Sequence, residues 1–133
     1  NSHIIAGIEN IKASSDVNSM EACAYMLLGA VHVSADIKDI KGRDESILNI
    51  LGKYTDNAVN LTGCSFDEVL YYVSGDRPVI GMLDDNHAVI ITAYTANSVT
   101  IYDPVTGASQ TMLHTAADSM FGSAGNVFIS VAR

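Results

Sequence analysis

Apolar residues recur at intervals of three or four through the first half of the chain and at intervals near two through the second. Met20, Cys23, Leu27 and Ala30 share one helical face, and Asn18 with Glu21 three positions on has the form of a capping box. That spacing predicts a helix over about residues 19–31. Ile47, Ile50, Leu51 and Tyr54 mark a second helical pattern in DESILNILGKYTDNA, and Ser65 with Glu68 repeats the capping form ahead of a third, FDEVLYYVS, which stops at Gly75. Beyond Gly75 the stretches PVIGML, HAVIITAY, SVTIYD and NVFISVA are rich in β-branched residues. They are separated by turn-forming Asp84-Asp85-Asn86, Ala96-Asn97, Pro104 to Gly107 and Gly122 to Gly125, and so predict four strands. TAADSMF predicts a short helix between the last two. Helices first and strands afterwards is an α+β order, N-terminal helices packed on a C-terminal antiparallel sheet, rather than the alternation of a parallel fold.

Composition fits this picture. With 133 residues, 48% hydrophobic and 17% charged, the chain can bury the core of one domain. That domain is read as residues 16–133, a helical half over 16–75 and a sheet half over 76–133. Residues 1–15, which begin Asn1-Ser2-His3 with no initiator Met, are read as an N-terminal extension or trimmed boundary. The net charge is −8 and the seven Lys and Arg are scattered, which excludes nucleic acid and an anionic membrane surface as expected partners. No apolar run approaches the roughly 18 residues of a membrane span.

Few residues can carry chemistry. Cys23 and Cys64 are too few for a disulfide scaffold or a cysteine metal cluster. His3 and His32 have no evident partners, His114 falls in an expected loop, and no two His stand at ligand spacing, so no metal or cofactor is expected. Asp84-Asp85 reads as a solvated turn. Taken singly, Cys23 is a small core hydrophobe, His87 a satisfied rim histidine and Asp103 the opener of an Asp-Pro turn. Together they fit another scheme. A thiol near a helix start gains thiolate character, an imidazole on the sheet takes its proton, and a carboxylate on the next strand fixes the imidazole's tautomer. Chain order Cys, His, Asp is the order of papain-type sites.

The segment GDRPVIGMLDDNHAVIITAYTANSVTIYDPVTG, Gly75 to Gly107, resembles the catalytic half of the papain-like cysteine peptidases that process bacteriocin leaders after a double glycine, and of their secreted relatives. In that family a Gly-x-Pro-Val strand precedes a catalytic His opening one strand and an Asp-Pro closing the next, as His87 and Asp103-Pro104 do here. The resemblance implies a papain-like fold, a Cys23 nucleophile, His87 as base then acid, Asp103 orienting it, and a peptide or protein substrate. It also implies a secreted or cell-surface setting, within a larger multidomain protein. Two positions depart from the family. Ala24 follows Cys23 where Gly is usual, and the only Gln, Gln110, is far from the place of the oxyanion donor. Asn18 is the nearest amide able to replace that donor. A helix beginning at Ser19 also leaves Cys23 past the first turn, where the dipole helps less.

Three readings of function follow: a Cys23-His87-Asp103 peptidase with Asn18 at the oxyanion; a degenerate papain-like module that binds a peptide or partner; and acyl transfer by the same triad. Cys64, at the entry to the third helix, is an alternative nucleophile. The register of the hairpin between His87 and Asp103 is open. A turn centred between Ala96 and Asn97 pairs Asp103 with Ile90 and separates the two groups by about 10 Å along the strand. A three-residue loop on Thr95 sets Asp103 opposite His87, and a bulge approximates that arrangement.

Overall fold

The computed structural model describes residues 1–132. In chain order the elements are β1 (His3–Ile4), α1 (Ser19–Ala30), α2 (Ile37–Ile40), α3 (Ile47–Gly52), β2 (Ala58–Asn60), α4 (Phe66–Ser74), β3 (Val79–Met82), β4 (Ala88–Tyr94), β5 (Ser98–Asp103), β6 (Ala108–Leu113), α5 (His114–Ser123) and β7 (Phe128–Val131). The strands form one antiparallel sheet in the order β2-β7-β3-β4-β5-β6, with β1 paired to β4. The architecture is α+β, as the helix-then-strand order predicts.

Alternation along the central strands sends side chains to two cores. Ile80, Ala88, Ile90 and Tyr102 pack under α1 and α3, with Ala22, Cys23, Leu27, Ile50 and Leu51. Val79, Val89, Ile91, Val99 and Ile101 pack on the other face with Val69 and Val73 of α4 and Phe121 of α5. Both capping boxes are formed: Asn18 Oδ1 accepts from Glu21 N at 2.8 Å, and Ser65 Oγ accepts from Glu68 N at 3.3 Å.

Some elements differ from expectation. The second helical pattern yields only the six residues of α3, and Ala58, at its predicted end, opens strand β2 instead. Strand β6 is absent from the sequence reading because its residues are almost all exposed at the sheet edge and leave no apolar alternation. Residues before 16 are woven into the body rather than appended to it. His3 and Ile4 pair with Tyr94 and Ala93, Ile5 is buried, and the carbonyl of Ile11 accepts from the Tyr102 hydroxyl at 2.8 Å.

The close approach of α5 to the sheet depends on Gly81. A Cβ at that position would lie 2.5 Å from the ring of Phe121, which is itself fully buried and packed edge-on to Phe128 at 5.1 Å. Gly81→Ala should therefore destabilise the protein by about 1–3 kcal/mol through overpacking, seen as a lower urea midpoint with an unchanged m-value.

Candidate active site

His87 and Asp103 are brought together by a slip in the β4-β5 hairpin. Next to the turn, Tyr94 pairs with Val99 and Ala93 with Thr100; past a bulge between Ile91 and Ala93, Ile91 pairs with Ile101 and Ile90 with Tyr102. Continued one step, that register sets Asp103 across from Val89, so its side chain shares a face with His87 on the diagonal. Without the bulge Asp103 would face Ile90 and project to the opposite side. The result is a hydrogen bond of 2.8 Å between His87 Nε2 and Asp103 Oδ1, with the two side chains 27% and 21% exposed. Val105 N also donates to Asp103 Oδ1 at 2.9 Å, which fixes the carboxylate. A carboxylate only accepts, so Nε2 carries the proton and a neutral ring keeps Nδ1 as its free base.

The other expected members are placed differently. Cys23 is the fifth residue of α1, wholly enclosed in the core under that helix, and no hydrogen bond joins its sulfur to His87 among the described residues. Burial pushes its thiol well above the ordinary cysteine range, and the charge of Asp103 adds to the rise. A thiol so held stays protonated, which is the reverse of an activated nucleophile. The Asn18 amide oxygen caps α1 through Glu21 N, while its Nδ2, the group an oxyanion role would use, makes no hydrogen bond among the described residues. Cys64 lies beside the Ser65 cap of α4 and packs against the second core. Of the remaining histidines, His3 Nε2 meets Asp76 Oδ1 at 2.6 Å and His114 Nε2 donates to the Ser98 carbonyl at 3.0 Å. No cluster of three or more His, Cys, Asp or Glu converges among the described residues.

Two roles escaped the sequence reading. Ser19 opens α1, and its hydroxyl lies 3.1 Å from the Asn86 carbonyl and 3.0 Å from the Ala88 N–H, the main-chain groups on either side of His87. The signal for it was present: a helix starting at residue 19 puts a hydroxyl, not the thiol, in the first turn. Glu21 is 1% exposed and accepts from three main-chain N–H groups, Asn18 at 3.1 Å, Arg43 at 2.9 Å and Asp44 at 3.3 Å. It ties the loop before α3 to the start of α1. Beside Asp103, a cavity of 390 Å³ opens between Leu83, Val89, Ile101, Met112 and Met120, rimmed by Ser109 and Gln110. Its size and largely apolar lining are those of ligand sites.

A helix start set against a His–Asp pair on an antiparallel sheet defines the class: the papain-like, cysteine-peptidase-type fold. The model of the Peptidase_C39 like family matches residues 16–127, and the chain belongs to that family. A solved structure of a candidate C39-like peptidase from Bacillus anthracis is similar across 100% of this chain and 98% of its own, with a TM-score of 0.83 at 18% sequence identity. At that identity the likeness establishes the fold. No curated protein matches the sequence significantly.

Proposed function

We propose that this domain binds a peptide in a peptidase fold and does not cleave it by thiol chemistry. The enclosure of the Cys23 sulfur carries this reading. Thiol proteolysis needs a thiolate that can touch both substrate and base, whereas this sulfur is fully buried and its ionisation is opposed by desolvation and by Asp103. Peptide is the ligand favoured by the family, and the apolar cavity beside Asp103, the carboxylate that holds His87, is suited to an aliphatic side chain.

The test uses an unstructured protein, α-casein, together with a mixture of neutral eight-residue peptides containing Leu. Incubation should release no new N-termini beyond those seen with a His87→Ala variant. The peptides should shift the methyl resonances of Met112 and Met120. Cleavage that depends on His87 would overturn the first half of the reading; unshifted methyls at millimolar peptide would overturn the second.

A further inference from the structure

Helix α1 begins at Ser19, behind an Asn18 cap whose side chain satisfies Glu21 N and leaves the helix start turned toward the β3-β4 loop. The hydroxyl is almost fully buried and bridges two elements far apart in sequence, donating to Asn86 O and accepting from Ala88 N. Those two contacts bracket His87. Asp103 holds the Nε2 side of that ring, so the ring's unprotonated nitrogen is Nδ1. A helix start, a side-chain heteroatom held on the main chain either side of a histidine, and a carboxylate on that histidine's Nε2 are the parts from which an activated nucleophile is built. They converge on residue 19, not on residue 23.

We propose that residue 19 is the nucleophile position of this site, occupied here by the Ser19 oxygen where thiol chemistry requires sulfur. The substitution explains why the site can persist without the reaction. An alcohol is far less acidic than a thiol, and the Ser19 proton is directed at the Asn86 carbonyl instead of the ring, so the hydroxyl serves as a clamp between α1 and the start of β4. A sulfur at the same position would stand at the helix start, against the chain that carries His87, and a helix start and a neighbouring imidazolium both lower a thiol's pKa. The proposal rests on the reading that Cys23 is not the nucleophile, but its test does not involve peptide binding.

Ser19→Cys is made in a Cys23→Ala, Cys64→Ser background, leaving one thiol, and is treated with iodoacetamide at pH 6. The thiol proton passes to His87 Nδ1, the sulfur bonds to the reagent's methylene carbon, and iodide leaves with the bonding pair. A pKa lowered from about 8.5 to about 5 raises the thiolate fraction at pH 6 by roughly 300-fold and costs roughly 40-fold in intrinsic nucleophilicity, for a net gain of about tenfold. Because Ser19 is 3% exposed, that gain is read against the same thiol in a His87→Ala chain, where the enclosure by α1 is the same, and not against free cysteine. Met20→Cys in the same background, one position further on, should alkylate at a rate indifferent to His87→Ala. A Ser19→Cys rate indifferent to His87→Ala would overturn the proposal. The position must also accept sulfur, so a Ser19→Cys chain without native amide dispersion counts against it as well.

Discussion

Alkylation of Cys23 in the native protein is expected to run at least about 10³-fold more slowly than in the same chain unfolded in urea. The sulfur has no exposed surface and sits among Ala22, Leu27, Ile90 and Tyr102, so reagent reaches it only through opening of the core beneath α1. Core openings approach the global stability, of order 5–15 kcal/mol, and a thousandfold protection needs only about 4 kcal/mol of it. Peptide mapping after iodoacetamide treatment at pH 8 reads the two cysteines separately, and rapid native modification at Cys23 would sink the assignment of this thiol to the core.

The same burial has a consequence in alkali. The folded-state pKa of Cys23 lies above its unfolded value near 9.0, so folding favours the protonated thiol. The associated stability is fully present below pH 9 and is lost as pH rises above it, because the unfolded chain then sheds a proton that the folded chain keeps. The slope approaches about 1.4 kcal/mol per pH unit for one such group. Tyr102 and Tyr25, whose pKa values are raised from 10.0, add their own dependence only about a unit higher. Between pH 9 and 10 the fall in urea-unfolding free energy should therefore be flattened by Cys23→Ala.

Loss of the Glu21 carboxylate is expected to be the most damaging single change near the site. Glu21→Ala removes an acceptor shared by Asn18 N, Arg43 N and Asp44 N and empties its buried volume. Hydrogen bonds to a charged group contribute about 1.5–3 kcal/mol each at most, and some of the released N–H groups will find water, so a loss of about 3–5 kcal/mol is expected. Glu21→Gln keeps the shape and one carbonyl acceptor and should recover about half of it. Chemical denaturation measures both. Asp44, held at φ 52 beside this carboxylate, should show the largest change in amide exchange.

Glu21 also shows where reading a sequence stops. Its place in the Asn18 capping box is local, set by a spacing of three residues, and is visible in the chain. Its bonds to Arg43 and Asp44 join residues more than twenty positions apart, and nothing in the spacing announces them. The helix over Phe66–Ser74 and the strand over Ser98–Asp103 were predicted to the residue, because caps, turn residues and β-branched runs are short-range devices. The edge strand Ala108–Leu113 was missed for the converse reason. It is defined by pairing with Ser98–Asp103, not by a buried face of its own.

Local chemistry in the sequence thus determined the α+β order, the starts of α1 and α4, and the candidacy of His87 and Asp103. Tertiary structure alone decided whether those candidates meet. A one-residue slip between Ile91 and Ala93 turns Asp103 toward His87. Four residues of helix, a little over one turn, separate a side chain that touches the flanks of His87 from one sealed in hydrocarbon, which is why Ser19 and not Cys23 faces the ring's strand. The first outcome depends on the phase of one strand against its neighbour and the second on where along α1, about 6 Å over four residues, the helix crosses the start of β4; both are fixed by packing between segments that the linear order keeps apart.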